Sequence, residues 1–188
     1  MLKVLISFMI FIGLFIGCTE KQSETANVSE KKLTPGEISY TVPADWKSEE
    51  PKSKMRKAQY KIPGFDGAAD AEMAVFVFPG TGGSVQANID RWVGQFVQPD
   101  GSDSNEKTET NKIRVNNMPV TTVYLTGTYL QSTSPMMMNG PKEEKAEYAM
   151  LAAIVETSTD PWFFKLVGPQ QTVDHWRPEF DKFIQSFK

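Results

Sequence analysis

Side chains that commonly carry acid–base or nucleophilic chemistry are scarce in this chain. Its 188 residues include one histidine, His175, and one cysteine, Cys18. A single imidazole excludes a zinc site built from several histidines and leaves one histidine for proton transfer. The sequence has no Gly-x-Ser-x-Gly elbow, and Ser84 has no identifiable base. The sequence therefore favours a function other than catalysis, and we interpret His175 as a helix-surface residue beside Trp176.

A glycine-rich stretch is the first candidate binding site. Gly80-Thr81-Gly82-Gly83-Ser84 lies between a predicted strand and a predicted helix. Backbone amides and a helix N-terminus at such a place can hold phosphate or carboxylate, which makes Gly82, Gly83 and Ser84 candidate anion-binding residues. The stretch has no lysine at the position of a P-loop lysine, and its glycines are not spaced as in a dinucleotide loop. A tight turn that ends in the helix N-cap Ser84 explains the same residues.

Three consecutive methionines, Met136, Met137 and Met138, are the second candidate. Thioether sulfur is a soft ligand for Cu(I), but adjacent side chains cannot all point one way, and a copper site would need His175 or other methionines. Methionine also suits surfaces that adapt to a partner. We therefore expect the segment 131–146 either to contact an envelope protein or to pack as a lid on its own sheet edge.

Two tryptophans, Trp46 and Trp162, are predicted to lie at an exposed edge and to extend this partner or ligand surface. The polar stretch that holds Asp100, Asp103 and Asn105 lacks the twelve-residue pattern of an EF-hand, so we read it as a solvated turn. The sequence predicts neither a metal site nor a cofactor.

The surroundings of Cys18 indicate covalent lipid attachment. Leu14-Phe15-Ile16-Gly17-Cys18 resembles a bacterial lipobox, with a small residue directly before the cysteine and an aliphatic one before that. The lipobox position three residues before the cysteine usually holds leucine, and here it is Phe15. A thioether to diacylglycerol would use the only thiol of the chain, so no disulfide is expected within it.

The residues on either side of Cys18 support export. Lys3 precedes the uncharged, apolar segment Val4 to Phe15, which is shorter than the roughly 20 residues of a transmembrane helix. Thr19 to Thr34 is almost wholly polar and cannot offset its own ordering entropy. We predict a signal peptide at 1–17, a lipidated cysteine with a disordered tether at 18–36, and one domain at 37–188.

The net charge of the chain limits the kinds of molecule that it can bind. The formal net charge is −3, and no basic stripe with interleaved aromatic residues is present. Binding to a phosphate backbone requires such a stripe, so nucleic acid is excluded as a partner. The expected location is the bacterial cell envelope: the outer membrane or periplasmic side where there are two membranes, and the cell surface otherwise.

Periodicity predicts the elements that would position these residues. Predicted strands occupy Glu37–Val42, Met55–Ile62, Ala71–Phe78, Lys112–Val115, Val120–Leu130, Tyr148–Val155 and Trp162–Val167. Asn116-Asn117 is predicted to close a hairpin, and Gln131 to Ala146 a loop. One amphipathic helix follows Ser84 and ends near Gln98, and a last helix kinks or restarts at Pro178.

Three of these strands are apolar on both faces: Ala71–Phe78, Tyr148–Val155 and Trp162–Val167. Met73 to Phe78 and Met150 to Val155 would expose much apolar surface if one side of the sheet were wet. The sequence therefore predicts an α+β fold: a mostly antiparallel sheet with helices on both faces, an α/β/α sandwich.

Short motifs across the predicted domain are shared with known proteins. They are Trp46, Met55-Arg56-Lys57-Ala58, Gly82-Gly83-Ser84-Val85, Arg91-Trp92, Gln95-Phe96 and Pro161-Trp162-Phe163-Phe164-Lys165. From Ile38 onward the chain resembles the PsbP-like superfamily, and more closely a set of uncharacterised bacterial proteins. Members of the superfamily include photosystem oxygen-evolving proteins and a eukaryotic Ran-binding family. The resemblance implies the fold and no chemistry, because one fold serves unrelated functions.

Together these observations predict a membrane-tethered, extracytoplasmic binding or scaffolding module. The alternative is an extracytoplasmic enzyme of hydrolase type, or a protein that binds a metal or an anion.

Overall fold

The structure is a computed structural model that describes residues 36–80, 82–133 and 140–188. Strands in these ranges are β1 (Lys47–Glu49), β2 (Arg56–Ile62), β3 (Ala71–Val77), β4 (Phe96–Val97), β5 (Glu109–Val115), β6 (Met118–Ser132), β7 (Lys142–Val155) and β8 (Trp162–Pro169). The two helices are α1 (Val85–Val93) and α2 (Gln170–Gln185).

All strands join one sheet in the order β1-β2-β3-β8-β7-β6-β4, and β5 pairs with β6 beside β4. Every pairing is antiparallel. Asn116 and Asn117, between β5 and β6, have φ angles of 45° and 67°, which is the left-handed backbone that a two-residue hairpin turn needs. The α+β fold, the antiparallel sheet and this hairpin are confirmed.

The sheet carries a different hydrophobic cluster on each side. Successive side chains of a strand point to opposite faces, so Phe163 packs with α1 and Phe164 with α2. The cluster with α2 also contains Met73, Leu151, Val173 and Phe183, and the cluster with α1 contains Ile89, Trp92, Val123 and Met150. Helix α1 has nine residues, and the sheet beside it carries polar side chains. The sandwich prediction is therefore met only in part.

One predicted strand is absent, and helix α1 is shorter than predicted. Glu37 to Val42 is not a strand. Ser39 exchanges two backbone hydrogen bonds with Lys188, at 2.9 and 3.0 Å, outside the strands of the sheet. Helix α1 ends at Val93 and not near Gln98, because Phe96 and Val97 pair with β6. Phe96 stays in the α1 cluster, so its apolar spacing continued the helical pattern into a strand.

The expected loop from Gln131 to Ala146 is wrong in extent. Strands β6 and β7 continue to Ser132 and from Lys142, with Tyr129 opposite Lys145 in the outer part of the hairpin. Polar side chains on both strands hid this extension, because they remove the alternation that marks a half-buried strand. Helix α2 runs through Pro178 without a restart, with Val173, Phe180 and Phe183 buried.

The turn at Asn117 gives a test of the hairpin. Asn117→Val should lower the free energy of unfolding by about 1–2 kcal/mol, because a β-branched residue is strained in the left-handed region. Asn117→Gly is the matched control and should cost nothing or stabilise slightly. Urea denaturation measures both variants, and equal losses would show that the turn adopts another conformation.

Candidate functional site: Lys165 on the helix α1 face

Lys165 is a basic residue in the middle of the most central part of the sheet. Strand β8 places it opposite Ala74 of β3 on one side and Ala152 of β7 on the other. Both neighbours are alanine and buried, so the long lysine side chain stands between two short ones. Residues before and after it along this face are Phe163 and Val167, both in the α1 cluster. Lys165 is therefore a partly exposed, charged residue in a row of apolar neighbours on this face.

The lysine amine has two defined neighbours. Its Nζ donates a hydrogen bond to Oε1 of Gln95, which follows α1, and lies 5.5 Å from the centroid of the Tyr129 ring. Tyr129 is held in place by Phe96, at 5.2 Å, and by Tyr148, at 6.3 Å between ring centroids. Across the described ranges no carboxylate contacts Lys165. A neutral amide and an aromatic face therefore surround a group that usually pairs with an acid.

Positive charges lie on the same side of the sheet. Burial lowers the pKa of Lys165 to about 7, and the nearby guanidinium groups of Arg91 and Arg56 contribute to that change. Desolvation and like charge both disfavour the ammonium form. At neutral pH the amine is therefore present in both its charged and its neutral form.

Arg56 already forms an ion pair with an acidic side chain. Its Nη1 lies 2.6 Å from Oε1 of Glu72 and 2.6 Å from Oε1 of the buried Gln59. Lys52 also binds Glu72. This ion cluster lies on the β2 and β3 side of Lys165 and already engages the Glu72 carboxylate.

Arg91, in contrast, has guanidinium N–H donors that remain available for a ligand. It lies in the last turn of α1, is exposed, and donates a hydrogen bond through Nη2 to Oδ1 of Asn88. Asn88 is itself buried and donates to the backbone oxygens of Gly82 and Ser84 at 2.7 and 2.8 Å. A guanidinium group has five N–H donors, so Arg91 is fixed in position and still able to bind a carboxylate or phosphate.

The arrangement suits an anion better than a cation. Arg91 and Lys165 supply positive charge, Tyr129 forms an aromatic wall, and the sheet supplies an apolar floor. The described residues contain no group of three or more His, Cys, Asp or Glu side chains placed to hold a metal. Anion binding and chemistry of a neutral amine are the two activities that these side chains can support.

A cleft elsewhere in the domain is less suited to binding an anion. A cleft of about 470 Å³ lies between β5, β6 and α2. Its Arg177 binds Glu109 at 2.8 Å and stacks 4.2 Å from the Tyr124 ring centroid, and Tyr124 donates to Asp174 at 2.6 Å. These four groups satisfy one another, so the arginine of this cleft is already paired.

One local feature of the sequence marks Lys165 as unusual. Lysine interrupts the apolar run Trp162 to Val167 within a strand predicted to be buried on both faces. A charged residue in such a strand is rare without a reason. The neighbours Gln95, Tyr129 and Arg91 lie about 36 to 74 residues away, and no local pattern links them to it.

The prediction that Trp46 and Trp162 are exposed is wrong. Their exposed fractions are 4% and 5%. Trp46 packs against Trp176 and Phe183, and Nε1 of Trp162 donates to the backbone oxygen of Gly36 at 2.8 Å. A loop and a strand start looked exposed in sequence, but the chain before β1 folds back over the α2 side of the sheet. Neither ring is available as a partner surface.

The described residues of the glycine-rich stretch form a turn and a helix N-cap. This is the alternative interpretation that the sequence analysis gave for them. Oγ of Ser84 accepts from the N–H of Ala87 at 3.1 Å, and Asp160 accepts from the N–H of Gly80 at 2.8 Å. Gly83 has a φ of +72°, as a tight turn requires. Anion binding by Gly82, Gly83 and Ser84 stays a prediction. His175 is exposed beside Trp176, as expected, and stacks on Phe65 at 3.8 Å.

Four predicted features lie outside the described residues: the lipidation site Cys18, the methionines Met136 to Met138, the segment predicted to be a signal peptide, and all but the last residue of the predicted tether at 18–36. Within the described ranges, neither helix combines the length and apolar character needed to cross a membrane.

Comparisons with known proteins find structural neighbours but no matching family model. No family model matches the chain, and no curated protein matches it. Solved structures that resemble it include PsbP (CyanoP) of the cyanobacterium Synechocystis, with 12% identity, a TM-score of 0.47, and coverage of 80% of this chain and 85% of that one. They also include a Pseudomonas aeruginosa protein of unknown function, with 12% identity, a TM-score of 0.45, and coverage of 80% and 96%. The structural neighbours thus include PsbP and an uncharacterised bacterial protein.

Proposed function

We propose that this protein is a membrane-tethered, extracytoplasmic binding module whose domain holds a small anion, a carboxylate or a phosphate, at Lys165 and Arg91. The single observation that carries the proposal is the position of Lys165: partly buried at the centre of the sheet, beside arginine, and without a carboxylate partner among the described residues.

An anion would remove an electrostatic cost. With no ligand, the charge of Arg91 disfavours the ammonium form of Lys165. A carboxylate or phosphate between the two would stabilise both cations through charge-assisted hydrogen bonds. On the β2 side of the site, Glu72 would partly compensate the charge of Arg56.

The tether rests on sequence features. The lipobox-like segment ending at Cys18, the apolar leader and the polar stretch to Thr34 together support a domain held near a membrane by lipid. In this proposal α2 covers one face of the sheet, and α1 covers part of the other and leaves Lys165 partly exposed beside it. Contact with an envelope protein through Met136 to Met138 stays a separate prediction.

Binding should depend on pH in a defined direction. Because the pKa of Lys165 is lowered to about 7, its ammonium form is lost as pH rises through that value. Affinity for lactate and for inorganic phosphate should therefore fall about tenfold between pH 6 and pH 8. NMR titration of the folded domain at the two pH values measures this change, and the phosphate series must be compared with lactate because phosphate itself titrates near pH 7.

Lys165→Met tests the site directly. The variant keeps the length and apolar stem of the side chain and should lose measurable binding of both anions. Lys182→Met is the matched control, because Lys182 is exposed on α2 and pairs with Glu179. Equal binding by the Lys165 variant and the wild type would refute the proposal, as would weaker binding in the Lys182 control.

A further inference from the structure

The environment of Lys165 favours an amine that reacts as well as one that binds. A nucleophilic amine needs an unprotonated nitrogen, a lone pair that no acid occupies, and room for a substrate. Lys165 donates to an amide oxygen, that of Gln95, so its hydrogen bond uses an N–H and leaves the lone pair free. Its side chain stands between Ala74 and Ala152 and is partly exposed, so the amine is accessible to a small reactant.

Charged and titratable groups around the amine come from four elements. They are Arg56 of β2, Glu72 of β3, Arg91 of α1 and Tyr129 of β6. Glu72 is bound by Arg56 and Lys52. Burial raises the pKa of the Tyr129 hydroxyl, so that group stays protonated near neutral pH. None of these groups holds the amine in its charged form.

We propose that Lys165 forms a reversible imine with a small 2-oxo acid, whose carboxylate is bound by Arg91. This inference rests on the proposed anion site and names its ligand class. The exposed guanidinium of Arg91 and the aromatic face of Tyr129 would hold the acid with its carbonyl carbon towards the amine.

The covalent step balances without another reactant. The neutral Nζ attacks the carbonyl carbon, and a proton moves from nitrogen to the carbonyl oxygen to give a carbinolamine. Loss of that oxygen as water leaves the C=N bond of the imine. Water hydrolyses the imine back to the amine and the 2-oxo acid, so no oxidant or reductant is consumed.

Reductive trapping tests the imine. Full-length protein is incubated at pH 7 with pyruvate and cyanoborohydride, and peptide mass spectrometry follows the modification of each lysine. Lys165 should be labelled at least about tenfold faster than Lys182, because an ordinary lysine is almost fully protonated at this pH. Lactate has the carboxylate but no carbonyl, and it should slow the labelling of Lys165 without being incorporated.

Arg91→Ala separates recognition from reactivity. Arg91 is exposed, so the variant should fold, which circular dichroism checks. Labelling of Lys165 by pyruvate should fall about tenfold, whereas labelling by acetaldehyde, which has no carboxylate, should be unchanged or only slightly slower, because loss of the Arg91 charge raises the pKa of the amine. An equal fall with both reagents would overturn the assignment of the carboxylate to Arg91.

Failure of the two proposals would look different. If lactate binds but pyruvate labels Lys165 no faster than Lys182, the imine is wrong and the anion site stands. If lactate does not bind while acetaldehyde labels Lys165 rapidly, the lysine is reactive and the proposed anion-binding function is wrong. A site with neither property overturns both.

Discussion

Trp92→Ala should lower the free energy of unfolding by about 3–5 kcal/mol, which is the usual cost of removing a buried indole ring. Trp92 has an exposed fraction of 5% and packs edge-on against Phe163 at 6.1 Å. Ile89 and Val93 of the same helix are buried with it. The ring therefore packs α1 against β8, and its loss would leave a cavity there.

Gln86→Ala is the matched control for this change. Gln86 is exposed on α1 and makes one i,i+4 hydrogen bond to Asp90 at 2.7 Å, worth about 0.2–0.5 kcal/mol. Chemical denaturation with both variants gives the comparison. A loss under about 1 kcal/mol for Trp92→Ala would mean that α1 does not face the sheet in solution.

Cys18→Ser should abolish lipid attachment and reduce membrane association at least about tenfold. Serine has no thiol to form the thioether, and each buried methylene of a lipid chain contributes about 0.8 kcal/mol to membrane binding. Labelling of cells with a palmitate analogue, followed by capture of the protein, measures attachment. Fractionation of the envelope measures location.

A second substitution in the tether controls for changes unrelated to lipid. Ser23→Ala alters a polar residue of the same segment and should leave both lipid labelling and fractionation unchanged. The anchor hypothesis is wrong if the wild type carries no lipid and the Cys18→Ser protein stays equally membrane-bound with its leader intact.

Local pattern alone determined much of this protein. Alternation placed Tyr60 and Ile62 on one side of β2, the spacing of Ile89, Trp92 and Val93 set the buried face of α1, and Asn116-Asn117 specified a hairpin turn. Each of these depends on interactions within a few residues, so a single sequence is enough to read them. Lipidation at Cys18 is a prediction from the same kind of local pattern.

Tertiary structure decided what local pattern could not. Pairing with β6 ended α1 before Phe96, although the apolar spacing continued, because strand hydrogen bonds come from residues distant in the chain. Packing against α2 buried Trp46, which stands in an irregular segment with no periodicity to reveal its direction. Only the register of β3, β8 and β7 set Lys165 between two alanines, and only the path of the chain after α1 brought Gln95 to its amine. The candidate site is built from such long-range contacts, which the sequence does not encode at any fixed spacing.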